Sequence, residues 1–142
     1  VAPMATARQD LAVAVLDGKL YAVGGLGGFL VGGGRLSSVE RYDPVLDAWE
    51  AVAPMATARY AHAVAVLDGT LYAVGGFIDP DFTLSSVERY DPATNAWEEV
   101  APVEAVSHNP GVAVLDGKLY AVGGWSNNLG DGHRTLSSVE RY

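Results

Sequence analysis

Three near-identical copies of one unit make up this chain of 142 residues. A fourteen-residue block, AVAVLDGKLYAVGG in its first copy, occurs at Ala12 to Gly25, Ala63 to Gly76 and Gly111 to Gly124. Only Thr70 and Gly111 break the identity. A second block, LSSVERY, occurs at residues 36–42, 84–90 and 136–142. Repetition with a period of about 50 residues predicts stacked copies of one supersecondary unit, none of which buries its apolar face alone.

The repeats divide a single domain, residues 1–142, into residues 1–51, 52–99 and 100–142. Their lengths differ mainly in the connection between the Gly-Gly pair and LSSVERY, which covers residues 26–35, 77–83 and 125–135. Insertions confined to one connection are typical of a loop carried on a constant frame.

Composition narrows the fold and the function classes. Apolar residues make up 49% of the chain, and 17 glycines and 7 prolines separate short β-prone segments, which predicts an all-β fold. A net charge of −8 disfavours nucleic acid and anionic membranes as partners. No apolar run reaches the roughly 18 residues of a transmembrane helix and no signal peptide is recognisable, so we expect a soluble protein of undetermined localisation. Without cysteine, disulfides and zinc–thiolate sites are excluded.

Four strands are predicted in each repeat. In the second copy we place them at Ala63 to Leu67, Leu71 to Val74, Ser85 to Tyr90 and Trp97 to Ala101. Asp68-Gly69 favours a tight type I′ hairpin between the first two strands. Each repeat is therefore predicted to be a four-stranded antiparallel meander.

The spacing of a few residues resembles the kelch repeat. A double glycine after a strand, a Tyr about 14 residues later and a Trp seven further on, as in Gly75-Gly76, Tyr90 and Trp97, is the pattern of that family. The resemblance covers the whole chain and is closest to the kelch domains of cullin-ligase substrate adaptors. It implies blades of a β-propeller, with the first strand along the central channel and the Trp strand outermost.

Two features depart from a complete propeller. Three blades are too few, because propellers close with about four to eight. A homodimer would supply six, so we expect each chain to be half of a six-bladed ring. The last repeat also lacks the residues equivalent to Asp91 to Glu99, so its blade is expected to lack most of its outer strand.

Function is expected where the copies differ. The connection between strands two and three and the one leading into the next strand one emerge at the same end of a meander, and most differences lie there. Apolar anchors and arginines in these loops predict a face for a protein or peptide partner. The candidate residues are Arg8, Phe29, Leu30, Arg35, Arg59, Tyr60, Phe77, Ile78, Phe82, Trp125 and Arg134. The adaptor resemblance implies recognition of acidic peptides by arginines here, at most by Arg8 and Arg59.

Catalytic and metal-binding interpretations are weaker. His62, His108 and His133 fall at different repeat positions without metal-ligand spacing. A triad of Ser107, His108 and Asp131 has no support beyond the adjacency of Ser and His. We therefore expect no catalytic residues, no metal and no cofactor.

The repeated charges and aromatics are assigned to the frame. The Glu-Arg pairs of the LSSVERY blocks are expected to bond between neighbouring strands, and Trp49 and Trp97 to pack between blades. The leading hypothesis is a non-catalytic binding or assembly scaffold, recently amplified from one unit or designed. A natural substrate-recognition domain of an adaptor is second, and an enzyme using the loop face is third.

Overall fold

The computed structural model describes residues 1–28, 34–79, 82–104, 108–126 and 134–142. These residues form strands, turns and connecting segments, and no helix occurs among them. Nothing in the described part of the chain is therefore a helix long and apolar enough to cross a membrane.

Each repeat folds into an antiparallel sheet whose strands lie side by side in chain order. Blade 1 contains Ala12–Leu16, Lys19–Val23, Val39–Asp43 and Ala48–Val52. Blade 2 contains Ala63–Leu67, Thr70–Val74, Val87–Asp91 and Ala96–Val100. Blade 3 contains Gly111–Leu115, Lys118–Val122 and Val139–Arg141. These sheets confirm the predicted all-β blades, and among the described residues blade 3 has three strands.

Short strands pair at one end of each blade. They are Arg8–Gln9 with Leu26–Gly27, Phe77–Asp79 with Phe82–Thr83, and Trp125–Ser126 with Arg134–Thr135. The last two pairs lie within one connection, whereas the first pair and the bridges of Tyr60 with Phe77 and of His108 with Trp125 join the two variable connections, which therefore meet at the same end of the blades, as the meander predicts.

The Asp-Gly turns adopt the predicted conformation. In the second repeat Asp68 has φ 50° and Gly69 has φ 72°, and the other two Asp-Gly pairs match them. Positive φ at both central residues defines the type I′ turn, whose twist suits the flanking strands. This turn fixes the register in which Ala63 lies opposite Val74 and Leu67 opposite Thr70.

The third strand begins later than predicted, at Val87 rather than Ser85. Ser85 and Ser86 do not join the ladder because their carbonyls have other partners. The Ser85 carbonyl accepts the Val103 N–H at 3.0 Å, and the Ser86 carbonyl accepts the Gly75 N–H at 3.2 Å. The second and fourth strands each begin one residue earlier than predicted, at Thr70 and Ala96.

The apolar core lies between blades. One cluster joins Leu16, Tyr21, Val23 and Val39 of blade 1 to Leu71, Ala73 and Tyr90 of blade 2. A second joins Val74 and Val87 of blade 2 to Leu119 of blade 3. The first strands of adjacent blades contact each other, so these strands lie along the axis and the Trp strands lie outside, as the family resemblance implies.

Candidate functional site

Two predicted binding residues, Arg8 and Arg59, belong to the frame. Both side chains are fully buried. Arg59 Nη1 donates to the carbonyls of Gly75 and Ser86, each at 3.0 Å, and Nη2 donates to Ser86 Oγ at 3.1 Å and Glu88 Oε1 at 2.7 Å.

Arg8 repeats this arrangement in blade 1. Its guanidinium donates to the carbonyls of Gly24 and Ser38, to Ser38 Oγ and to Glu40 Oε1. The expectation that Arg8 and Arg59 present their charges to a partner is therefore corrected: each guanidinium is enclosed and committed within a blade. This also removes the positions through which the adaptor resemblance implied recognition of acidic peptides.

Glu40 and Glu88 complete these clusters. Glu40 accepts the backbone N–H groups of Ala5 and Thr6, and Glu88 those of Ala56 and Thr57, so each carboxylate also orders the segment that precedes its blade. Burial raises the pKa of Glu40, but the hydrogen bonds from Arg8 and the backbone outweigh it and hold that pKa below its usual value.

The adjacent arginines form the expected bonds between strands. Arg41 pairs with Glu50, and Arg89 pairs with Glu98, each across the third and fourth strands of its blade. In blade 3, Glu140 accepts the N–H of Glu104 at 2.6 Å. The structural assignment of the repeated Glu-Arg pairs is confirmed in blades 1 and 2.

A row of rings crosses the loop face from blade 2 to blade 3. Tyr60 stacks on Phe77 with ring centroids 5.3 Å apart, and Phe77 stacks on His108 at 3.8 Å. His108 then meets Trp125 edge-on at 4.4 Å. Backbone bonds within the Tyr60–Phe77 and His108–Trp125 pairs hold the row in place.

The row brings together three predicted residues and one that was not predicted. Tyr60 and Trp125 are half-buried, whereas Phe77 and His108 are buried. The sequence analysis considered His108 only as a metal ligand or triad member, and its contact with Trp125 is seen only in the structure. The row therefore stiffens the loop face, and only its two end rings, Tyr60 and Trp125, are partly exposed to solvent.

Other predicted residues occupy different environments on this face. Phe82 is 60% exposed, Ile78 is half-buried, and Arg35 and Arg134 are exposed. Arg134 lies opposite Ser126 in a short strand pair, and Arg35 forms a bridge with Leu26. Phe29 and Leu30 lie outside the described residues.

His62 lies at the junction of blades 1 and 2, next to Gly24 and Gly76. It is buried, and neither ring nitrogen has a hydrogen-bond partner among the described residues. Burial, with a smaller contribution from the charge of Arg59, lowers the pKa of His62 to about 3. The imidazole is therefore neutral at physiological pH, which suits a packing role.

Residues 7–56, 58–104 and 107–142 each match the Kelch motif. The chain belongs to the Kelch family. This membership confirms the resemblance drawn from the glycine pair and the spaced Tyr and Trp.

Several curated proteins resemble this Kelch chain over about half of its length. Human Kelch-like protein 33 is 40% identical over 72 residues, covering 51% of this chain and 13% of that protein. Mouse Kelch-like protein 35 is 43% identical over 74 residues, covering 52% of this chain and 12% of that protein. Human influenza virus NS1A-binding protein is 42% identical over 74 residues, covering 52% of this chain and 11% of that protein. The matched segment is thus a small part of each relative.

The catalytic and metal-binding hypotheses concerned the three histidines, Ser107 and Asp131. Among the described residues, no group of three or more His, Cys, Asp or Glu side chains is arranged to hold a metal ion. Ser107 and Asp131, named with His108 in the triad hypothesis, lie outside the described residues, as does His133. His108 itself is buried in the aromatic row.

Proposed function

We propose that this chain is a non-catalytic Kelch scaffold, that residues 1–142 form one half of a six-bladed ring closed by a second copy, and that its loop face binds a protein or peptide. The observation that carries the ring proposal is that the two ends of the three-bladed unit expose the two halves of its own inter-blade interface. The near identity of the repeats supports an origin by recent amplification or by design.

Each blade has two apolar faces. The trailing face, which packs against the following blade, consists in blade 1 of Leu16, Tyr21, Val23 and Val39. The leading face, which packs against the preceding blade, includes in blade 2 the side chains of Val64, Val66, Leu71, Ala73 and Tyr90. Blade 2 uses both faces, so the same sequence pattern already builds the contact that ring closure requires.

The terminal blades leave one face of each kind uncovered. On the trailing face of blade 3, Leu115 is 60% exposed and Val139 is 62% exposed, whereas the equivalent Leu16 and Val39 are 3% and 1% exposed. On the leading face of blade 1, Val13 and Val15 are also exposed. Apolar surface of this kind favours association, and the two exposed faces are complementary because each repeats one side of a buried junction.

A backbone ladder near the axis supports the same closure. The Ala61 N–H donates to the Asp10 carbonyl at 2.9 Å, and the Asn109 N–H donates to the Ala61 carbonyl at 2.7 Å. All three residues are equivalent in the repeat and share φ near 50° (51°, 50° and 50°). Ring closure continues the ladder, with the Asn109 carbonyl accepting from Asp10 of the second copy.

Cysteine pairs test the closure, since the chain has no cysteine of its own. The variant Asp10→Cys with Asn109→Cys is expected to oxidise to a covalent dimer on a non-reducing gel. The matched control, Asp10→Cys with Ala61→Cys, spans a junction within one chain and should give an internally bridged monomer. A ladder of longer oligomers would indicate an open head-to-tail array, and an uncrosslinked monomer beside a bridged control would contradict closure.

The loop face is proposed as the partner site because it combines exposed apolar and cationic groups with a rigid base. Phe82 is 60% exposed, Arg35 and Arg134 add positive charge, and the packed aromatic row joins the loops of blades 2 and 3 on the same face. Exposed aromatic and arginine side chains on a preorganised surface are the groups that dominate binding energy at protein interfaces.

Peptides selected from a displayed library against the chain test this face. We expect Phe82→Ser to leave the melting temperature unchanged and to weaken the selected peptides by at least about tenfold. The matched control is Leu46→Ser, which alters a residue 73% exposed in the turn at the opposite end of blade 1. Equal loss in both variants, or none in either, would contradict the assignment of the loop face.

A substrate-recognition domain within a longer adaptor is the second candidate. It is supported by the small share of each relative, 11 to 13%, that the matched segment covers. In that case further blades of the same polypeptide cover the exposed end faces, and a longer chain that carries those blades should not give the crosslinked dimer.

A further inference from the structure

Two neighbouring aliphatic side chains are exposed at the end of blade 1 opposite to the loop face. Val45 is 90% exposed and Leu46 is 73% exposed, and we call them the exposed pair. The other exposed large apolar side chains of the described residues lie at the first residue, in strands of blades 1 and 3 or, for Phe82, on the loop face. Neither packing between blades nor the loop face therefore accounts for the exposed pair.

The turn that carries the exposed pair is held by bonds that do not involve these two side chains. Asp43 Oδ1 accepts the N–H of Val45 at 2.9 Å and that of Leu46 at 3.4 Å. At the other end of the turn, Asp47 Oδ1 accepts the hydroxyl of Tyr42 at 2.7 Å. The turn is thus ordered before any partner binds, which reduces the entropy that binding would cost.

Blade 2 shows that the turn does not require aliphatic residues. Ala93 and Thr94 occupy the positions of the exposed pair. The Ala93 N–H donates to Asp91 Oδ1 at 2.8 Å, and Asn95 has φ 50° where Asp47 has φ 47°. The same turn therefore forms with a small and a polar side chain, so the exposed pair is an addition to the frame. Adjacent exposed apolar side chains without a structural role indicate a surface that another molecule covers.

The charge at this end of the blades indicates what kind of molecule fits. We call this end, which carries the Asp-Gly and Asp-Pro turns, the turn face. Among the described residues, six aspartates and two lysines lie in these turns and at the strand ends beside them, and one lysine, Lys19, already pairs with an aspartate of the same blade. The aspartates are Asp17, Asp43, Asp47, Asp68, Asp91 and Asp116. Two copies of this face repel each other, whereas a basic partner is attracted.

These aspartates are spread over the turns of three blades. Within the described part of the chain, no three acidic or histidine side chains are grouped to hold a metal ion. The charge therefore suits several separate cationic groups rather than one small cation, and the exposed pair supplies an apolar anchor beside it.

We propose that the turn face docks a basic amphipathic segment of a partner protein. An apolar stripe of that segment covers Val45 and Leu46, and its lysine or arginine side chains lie over the aspartates. The apolar contact supplies most of the affinity, while the charges speed association and exclude acidic partners. The site requires neither ring closure nor a ligand on the loop face.

The probe is a short synthetic peptide of leucine and lysine, with its leucines along one helical face and a fluorescent label at its N terminus. The matched peptide has glutamate in place of every lysine. Binding to the 142-residue chain is measured by fluorescence anisotropy at physiological ionic strength. We expect the lysine peptide to bind saturably with one peptide per chain, and the glutamate peptide not to bind.

The double variant Val45→Ala with Leu46→Thr separates docking from unspecific attraction. It introduces the residues that blade 2 has in the same turn and keeps every charge of the chain. We expect an unchanged melting temperature and binding of the lysine peptide weakened at least about tenfold. A cationic peptide that merely adheres to an acidic protein would bind this variant as it binds the wild type.

Asp47→Asn tests the contribution of charge without disturbing the turn. Asn95 already makes the equivalent bond in blade 2, where its Oδ1 accepts the Tyr90 hydroxyl at 2.9 Å. The variant should therefore fold normally and bind the lysine peptide about two- to fivefold more weakly, with a smaller dependence of affinity on salt.

The two faces are distinguished by exchanging probes. Leu46→Ser should weaken the lysine peptide and Phe82→Ser should not, the reverse of what is expected for peptides selected on the loop face. Absence of saturable binding, unchanged affinity in the Val45→Ala, Leu46→Thr variant, equal binding of the glutamate peptide or a loss in Phe82→Ser would each overturn the proposal. Crosslinking and loop-face selection use different variants and probes, so their failure is a separate result.

Discussion

Acidification should destabilise the folded chain through His62, and the substitution His62→Leu should remove that part of the effect. His62 is buried with its pKa lowered to about 3, whereas an unfolded histidine titrates near 6.5. Above pH 6.5 both states hold the neutral ring. Below it the unfolded state gains a proton that the folded state does not, so stability falls as pH decreases from 6.5 towards 3.

The expected size follows from this difference in pKa. At pH 5 the unfolded histidine lies about 1.5 pH units below its own pKa while the folded one remains neutral, and each unit corresponds to about 1.4 kcal/mol. Protonation of His62 in the unfolded state should therefore lower the free energy of unfolding by about 2 kcal/mol between pH 8 and pH 5. Unfolded carboxylates titrate mainly below this range, so they add little.

Urea unfolding at pH 8 and pH 5 in both proteins measures the effect. Leucine is the matched replacement because Leu11 occupies the equivalent position of the first repeat. We expect the loss of stability on acidification to be about 2 kcal/mol smaller in His62→Leu, since the other titrating groups are shared. Equal losses in the two proteins would refute the assignment of a neutral, unpaired histidine at this junction.

Two further predictions concern the blade frame. Ala61 has φ 50°, a left-handed conformation that Asp and Asn, the residues at the equivalent positions 10 and 109, adopt more easily than Ala. Ala61→Asn should therefore raise the free energy of unfolding by about 1 kcal/mol. Thermal unfolding that shows no gain in stability would contradict strain at this residue. Arg59→Met should lower the free energy of unfolding by about 3 to 5 kcal/mol, because Glu88 is left buried without its guanidinium partner. The control Arg89→Met removes a more exposed partner of Glu98 and should lower the free energy of unfolding by less than about 1 kcal/mol. Similar urea midpoints for the two variants would contradict the structural role of Arg59.

Regular features of the repeat were predictable from sequence because local chemistry specifies them. The strand Ala63–Leu67 and the Asp68-Gly69 turn follow from alternating small apolar residues and from a dipeptide that tolerates positive φ. The start of the third strand was not predictable in this way. It depends on which groups bind the Ser85 and Ser86 carbonyls, and those groups come from residues distant in sequence.

Arg8 and Arg59 show how a site prediction failed. An arginine in a connection looks the same whether it faces solvent or enters a blade, and sequence alone gave no measure of its burial. Their equivalent positions in two repeats were a signal of a shared structural role, like that of Glu40 and Glu88. The aromatic row was only partly predictable, because contact between Phe77 and His108 depends on how neighbouring blades align their loops.

The mass of the 142-residue chain in solution tests the proposed ring closure most directly. Light scattering on a size-exclusion column should give about twice the chain mass of 14.8 kDa, because two half-rings cover each other's exposed end faces. Val139→Glu, which places a charge on the trailing face of blade 3, should shift that mass towards the monomer. A wild-type monomer, or a trimer, at concentrations where the chain is folded would contradict the six-bladed dimer.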